Sequence, residues 1–335
     1  MSDLLDTSFC QFKLTVNSGV LPLVTQSDAI VFDQPRQLGM RRLGLAQRQP
    51  GDVVVAIEAS GISTGTERLL WSGEMPAFPG MGYPLVPGYE AVGRIVDAGD
   101  ARRLKAGDKV FVPGSNGFDG ARGLFGASAS HVQLPEGRLV PISATLGDEA
   151  VLLALAATAH HAVRASGRDL PELIVGHGAL GRLAARMVVA LGGQAVVWET
   201  APLRRTGAVG YAVIAPEAEE RTDYRQILDV SGDATILDRL VPRLGRGGEI
   251  VLAGFYKEPV SFAFPPAFMR EARMKIAAEW RPQDMEAVLS LVASGRLSLD
   301  GLVTHAARPA DADTAYRTAF EDADCLKMIL DWRTM

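Results

Sequence analysis

Leu173-Ile174-Val175-Gly176-His177-Gly178-Ala179-Leu180-Gly181 decides the fold. Its three leading apolar residues make a short buried strand. The spacing of Leu180, Leu183, Ala184, Met187, Val188 and Leu191 then predicts one apolar face of a helix, stopped by Gly192-Gly193. The three glycines between them have separate duties. Gly176 permits the tight turn, Gly178 lets the backbone approach a pyrophosphate, and Gly181 allows close helix–strand contact, while the helix start at Ala179 and Leu180 offers N–H groups to an anion. The glycine pattern alone is weak, but here it follows a strand, opens an amphipathic helix and precedes a second strand ending in Glu199. A carboxylate there accepts hydrogen bonds from both hydroxyls of an adenosine ribose, so the expected cofactor is NAD. Arg204 and Arg205 follow closely and are placed to meet a 2′-phosphate, yet a carboxylate beside a phosphate dianion is repulsive. His177, inside the loop, is expected to contact the dinucleotide.

Outward from that stretch, Leu173–Val175, Ala195–Trp198, Ala212–Ile214, Ile227–Val230, Glu249–Ala253 and Met274–Ala278 read as strands alternating with helices. That alternation implies an α/β domain with a doubly wound parallel sheet. Upstream, from about Ser27 to Pro141, turn residues break up short strands: Gly51-Asp52 precedes Val53–Ile57, Gly93–Val96 is another apolar run, and Gly107-Asp108 precedes Lys109–Val112. Downstream come a helix over Met285–Ala293, a second around Ala315–Glu321 and a last strand over Cys325–Leu330. The expected division is an N-terminal extension (1–26), a β-rich catalytic domain (27–150), a nucleotide domain (151–285) and a C-terminal segment (286–335) that returns to the catalytic domain.

Bulk composition excludes several classes. At 335 residues the chain exceeds one ordinary hydrophobic core. Its 34 basic residues lie scattered among 39 acidic ones, for a net charge of −5, so no concentrated basic face is offered to nucleic acid. Cys10 and Cys325 lie at opposite ends, which excludes a disulfide framework or a CxxC metal site and suits a reducing cytoplasm. The longest apolar run, Ala150 to Ala159, is too short to span a bilayer. Asp3 and Asp6 replace the basic start of a secretory signal.

Val86-Pro87-Gly88-Tyr89-Glu90-Ala91-Val92-Gly93-Arg94-Ile95-Val96 resembles the GHExxGxV signature of the medium-chain dehydrogenase/reductase superfamily. Gly107-Asp108-Lys109-Val110, the glycine loop, Asp229-Val230-Ser231-Gly232 and Gly247–Gly254 extend the resemblance over most of the chain. It implies a GroES-like catalytic domain joined to a Rossmann domain, with Ser231 and Gly254 on the cofactor edge. The chain departs from the superfamily at every catalytic zinc position. Gly61-Ile62-Ser63 stands where the family has a ligating cysteine, Tyr89 replaces the ligating histidine, and Ala154 falls near the third ligand. Alanine has no donor, and the four cysteines of the structural zinc lobe are absent, so no metal is expected. The runs Gly61–Gly73, Leu155–His161 and Phe262–Arg270 look like those of a zinc-lacking family that oxidises the 3-(1-hydroxyethyl) group of (bacterio)chlorophyllide a to 3-acetyl with NAD, in bacteriochlorophyll a biosynthesis. That resemblance alone supplies the tetrapyrrole substrate.

Without a Lewis acid, the hydroxyl proton needs a positioned acceptor. The candidates are Glu90 in the cleft, Tyr89 and Ser63 at the lost ligand positions, Thr158 near the nicotinamide in relatives, and one of His160 and His161. Glu90 is equally readable as half of an ion pair that braces its loop. A tetrapyrrole demands a wide apolar cleft with a cation for its propionate. Trp71, Phe255, Tyr256 and Phe268 are candidates for the cleft walls, and Arg68 or Arg270 for the cation. A homodimer is open. So are two competing readings, a zinc-free NADPH-dependent quinone or enone reductase and a non-catalytic pigment carrier; the intact glycine loop argues against the carrier.

Overall fold

The computed structural model describes residues 24–335; the expected extension therefore lies largely outside the described residues, and its last residue, Gln26, already opens a strand. Strands β1 (Gln26–Gln34) and β2 (Gln37–Gly44) form an antiparallel hairpin. Strand β3 (Asp52–Ile62) is the axis of a seven-stranded sheet, because its consecutive valines, Ile57 and Ile62 bury both faces. After helix α1 (Thr66–Ser72) follow β4 (Ala91–Asp97), β5 (Lys109–Val112), β6 (His131–Pro135) and β7 (Val140–Pro141). Antiparallel pairing sets β3 beside β4, β4 beside β5, β5 beside β7, and β6 on β3.

Helix α2 (Leu153–Arg164) leads into the second sheet, whose strands are β8 (Leu173–Val175), β9 (Val196–Trp198), β10 (Ala212–Ile214), β11 (Tyr224–Asp229), β12 (Leu244–Leu252) and β13 (Arg273–Ile276). Helices α3 (Ala179–Ala190), α4 (Leu237–Leu240) and α5 (Phe264–Arg270) lie between them. All pairings are parallel, in the order β10-β9-β8-β11-β12-β13. The order reverses at β8, and that switch places a crevice outside the strand ends where β8 and β11 meet. Two expectations need correction. No α-helix joins β9 to β10 or β10 to β11; short turns at Pro202–Arg205 and Pro216–Ala218 serve, since those stretches are brief and broken by proline and glycine. Strands β11 and β12 also begin earlier than the apolar runs, because Tyr224 still pairs with Leu244 ahead of an irregular, glycine-rich step.

Helix α6 (Pro282–Ala293), strand β14 (His305–Ala307), helix α7 (Ala312–Glu321) and strand β15 (Met328–Asp331) follow. The returning strand β15 pairs antiparallel with β3, from Met328 opposite Ile62 to Asp331 opposite Ala59. Tyr316 and Phe320 of α7 pack on Phe32 and Trp71 at centroid distances of 5.4 and 5.6 Å. Ala59, Val92 and Phe111 of the first sheet share one buried cluster with Ile174, Leu228 and Val251 of the second, and the alanine-rich α2 lies between them. Small residues along α2 let both sheets approach it closely. The crevice is thereby held beside the first sheet.

The return of β15 also buries a charge. Lys327 is 1% exposed, and its Nζ lies 2.5 Å from Oε2 of the fully buried Glu90. Removing one partner of a buried pair strands the other charge at a cost of about 3–5 kcal/mol, whereas replacing both is far milder. Lys327→Met is therefore expected to lower unfolding free energy by about 3–5 kcal/mol in urea denaturation, and Glu90→Gln/Lys327→Met to recover most of it.

Candidate functional site

The cofactor edge is built by the ends of β8, β9, β11 and β12. Gly176 has φ +101°, and a Cβ on Gly181 would lie 1.9 Å from the Gly176 carbonyl oxygen, so both positions require glycine. Gly178 caps α3 without a side-chain hydrogen bond and has open space beside it. The first-turn N–H groups of Ala179, Leu180 and Gly181 have no carbonyl of their own helix to bond. These features fit a pyrophosphate. At the end of β9, Glu199 accepts from the Ala201 N–H at 2.8 Å and the His177 N–H at 3.0 Å, which fixes its carboxylate beside the glycine loop. Ser231, at the end of β11, packs against Gly176, and Gly254 meets the nitrogen of Gly232 so closely that a Cβ would lie 2.8 Å away.

The imidazole of His177 departs from expectation. Its Nδ1 lies 2.5 Å from the Arg204 carbonyl and its Nε2 2.9 Å from the Tyr211 hydroxyl, so both ring nitrogens are spent on protein and only the backbone faces the loop. Burial pulls its pKa below the usual histidine range. Arg205 donates to the carbonyls of Glu199 and Thr200, and Arg204 to that of Ala323.

Across the crevice, Ser63 follows β3 and Tyr89 precedes β4, and Ser63 Oγ lies 2.6 Å from the Tyr89 hydroxyl. Burial first, and then the Glu90 charge, push the Tyr89 phenol well above its ordinary range, so it remains a donor. Ala154 offers a methyl group from α2, and Thr158, one turn on, returns its hydroxyl to the Ala154 carbonyl at 3.0 Å. Behind the hydroxyl pair lies the ion pair of Glu90 and Lys327, with Lys327 also donating to the Ile62 carbonyl at 3.1 Å. Gly61 is required here, because a Cβ would meet Glu90 Oε2 at 2.6 Å. Glu90 is thus the brace among its two readings. Among the described residues no three His, Cys, Asp or Glu side chains converge as a metal would need.

His160 and His161 share one carboxylate. Their Nδ1 atoms lie 2.7 and 3.0 Å from the two oxygens of Asp284, in the first turn of α6. Burial opposes the Asp284 charge, but the His160 hydrogen bond and the Arg281 N–H outweigh it and hold that carboxyl below the usual range. Through their Nδ1 atoms the two rings tie α2 to α6.

The substrate candidates divide. Trp71 packs on Phe320, with the guanidinium groups of Arg36 and Arg317 over its ring, and belongs to the first core rather than to the cleft. Arg270 donates to the Pro242 carbonyl just ahead of β12, at the sheet end remote from the glycine loop, so it cannot mark a substrate there. Phe268 stacks on Phe264 along the outer face of α5, beside β13, and not at the strand ends. Tyr256 donates to the buried Asp229 carboxyl and so ties the loop after β12 over β11. Phe255 remains at the crevice mouth, 51% exposed, where Lys257 bridges to Glu74 at 3.1 Å, and Arg68 on α1 is exposed.

Three residues escaped the sequence reading. Glu67 is fully buried and accepts from the Tyr316 hydroxyl at 2.8 Å, and Lys327 is described above. Glu67 shares a helix face with buried Leu70, and Lys327 is a lone charge in an apolar strand; each was a legible anomaly. Tyr316 carried no such mark.

Comparison with known proteins agrees with this architecture. Residues 49–144 match the alcohol dehydrogenase GroES-like domain. The chain is 54% identical over 310 residues to the 2-desacetyl-2-hydroxyethyl bacteriochlorophyllide A dehydrogenase of Rhodobacter capsulatus, covering 92% of this chain and 99% of that protein. It is 55% identical over 314 residues, with the same coverage, to the protein of that name from Cereibacter sphaeroides. Among solved structures, 2R,3R-butanediol dehydrogenase from Bacillus subtilis superimposes with a TM-score of 0.80 at 21% identity, over 91% of this chain and 99% of that one. The chain belongs to the medium-chain dehydrogenase/reductase superfamily and, within it, to the family of 2-desacetyl-2-hydroxyethyl bacteriochlorophyllide A dehydrogenases.

Proposed function

We propose that this protein oxidises the 3-(1-hydroxyethyl) group of (bacterio)chlorophyllide a to 3-acetyl, with NAD and without zinc. The observation that carries the reading is the pair of hydroxyls, Ser63 and Tyr89, 2.6 Å apart where the superfamily's signature sets metal ligands. Serine and tyrosine hydroxyls with an alanine are a poor donor set for zinc, which takes cysteine, histidine or carboxylate. They are a good set for binding a carbinol oxygen. The names of relatives more than half identical along nearly the whole chain supply the substrate class.

A nicotinamide dinucleotide bound on the glycine loop accepts the hydride. The chain's own residues do the rest. Glu199 receives the ribose hydroxyls, a task it can take over from its present backbone donors without changing charge. Tyr89, kept protonated by its surroundings, holds the carbinol oxygen in line through the shared hydrogen bond with Ser63. The loops carrying Glu74 and Lys257 close the mouth on either side, and Phe255 presents exposed apolar surface there to a large flat ring. Arg68, exposed on α1, would pair with the propionate.

We also propose a homodimer through β13. Its outer edge has no partner among the described residues, all four of its residues are exposed, and Ile276 (79%), Met269, Phe264 and Phe268 line an apolar surface beside it. An open apolar edge strand is an aggregation hazard unless an identical edge covers it around a two-fold axis.

Chelator-treated protein with the hydroxyethyl pigment and NAD is expected to shift the pigment's long-wave band to the red, because an acetyl group extends conjugation; no shift with either nucleotide would sink the reading. Tyr89→Phe should lower kcat about 10²- to 10³-fold with little change in KM. Glu199→Ala should cut the preference for NAD over NADP, as the ratio of kcat/KM values, by about 10- to 100-fold, the loss of hydrogen bonds to a charged acceptor. Light scattering should find Ile276→Glu monomeric and the parent chain dimeric.

A further inference from the structure

Oxidation of a carbinol releases a proton as well as a hydride. Of the two buried carboxyls beside the hydroxyl pair, Glu90 is ion-paired with Lys327, whereas Glu67 meets only hydroxyl and amide donors. Helix α1 carries it directly behind Ser63, and it is 0% exposed. Its Oε2 accepts from Tyr316 of α7 at 2.8 Å, and its Oε1 faces the Ser63 N–H at 3.4 Å. Around it stand Lys327 from the residue before β15, Tyr89 and Glu90 from the segment before β4, and Ser128 beyond Tyr316. Among the described residues no cation bonds it, since Lys327 is taken by Glu90. A buried carboxyl held only by hydroxyl and amide donors can exchange a proton without breaking an ion pair.

We propose that Glu67 is a positioning residue that takes up, through the Ser63–Tyr89 hydroxyl pair, the proton leaving the carbinol. The inference rests on the oxidation proposed above. In that step the carbinol C–H bond breaks and its electron pair passes as hydride to the oxidised nicotinamide. The O–H bond breaks, the C=O bond forms, and the proton ends on the Glu67 carboxylate. Burial pushes the Glu67 carboxyl up to about 8, against the Tyr316 hydrogen bond and with help from the Glu90 charge. A group that titrates there is matched to proton transfer near neutral pH. Because the carboxylate is the accepting form, oxidation accelerates as pH rises through about 8.

Glu67→Gln tests this, since an amide keeps the shape and still accepts from Tyr316 but does not titrate. With saturating NAD and pigment, from about pH 6 to about pH 9, the parent enzyme should show a rising limb in kcat. The variant should lose that limb and run at least about tenfold slower on the alkaline side, with pigment KM and nucleotide binding unchanged. Glu67→Asp should restore a titrating limb. A second readout needs no substrate. Burial raises the folded value from 4.5 to about 8, so the parent chain loses stability as pH climbs across that window, whereas the glutamine variant does not. Its Tm should therefore gain on the parent's between about pH 5 and about pH 8. A glutamine variant that keeps the parent's pH–rate limb, or a Tm difference that ignores pH, overturns the proposal. If the parent chain fails to oxidise the pigment with either nucleotide, the oxidation reading is what fails, and the Tm comparison still reports on Glu67.

Discussion

The buried contact between Lys327 and Glu90 is the constraint on which the site depends. Lys327 arrives one residue before β15, which joins the first sheet beside β3 after the chain has already built the second, and Glu90 sits one residue before β4. A charge cannot be left alone in that interior without a cost of several kcal/mol, so the ion pair specifies where the C-terminal segment docks and in what register. Register matters because Tyr89 is adjacent to Glu90 and Ser63 follows the strand that β15 pairs with. A slip of one residue would turn the lysine away from the carboxylate and move the hydroxyl pair with it.

A second constraint comes from the shared core. Both sheets pack on α2, whose alanines permit the close approach, and the helix itself carries Ala154 and Thr158 to the crevice. The contacts of His160 and His161 with Asp284 then fix α2 against α6. Glycine loop and hydroxyl pair are therefore set by opposite surfaces of one packed layer, which is how a crevice between two sheets keeps a geometry fine enough for hydride transfer.

Most of the fold was legible. The order of the parallel sheet follows from the glycine loop and the apolar runs, because such runs and such turns leave few other topologies. The missing helices around β10 were not, since strand alternation alone does not show that the stretches holding Pro202 and Pro216 are too short and broken for a helix. At the site, the turn geometry of the glycines and the position of Glu199 at a strand end follow from local backbone chemistry. Trp71, Arg270 and Phe268 were misplaced because direction, not residue type, decides whether an aromatic or arginine faces a cleft, and direction is set by partners such as Phe320 and Pro242 that are distant or unmarked in sequence. Glu67 was passed over although its place on the buried face of α1 was itself the signal.

The electrostatics of the crevice also invert the usual logic of an alcohol dehydrogenase. A divalent cation acts on oxygen, making the hydroxyl more acidic before hydride leaves. Here the fixed charges near the hydroxyl pair are two carboxyls and one lysine, so the local field is neutral when Glu67 holds a proton and negative when it does not. A negative field disfavours an alkoxide but favours the positive charge that grows on the carbinol carbon as hydride departs. For an ordinary aliphatic alcohol that would be a poor exchange. For a carbinol attached to a conjugated macrocycle, the ring shares the positive charge, and the proton can leave late, with or after the hydride. On the zinc-free oxidation proposed above, the residues at the metal-ligand positions would not imitate a metal, and the substrate's own conjugation would take over part of its work.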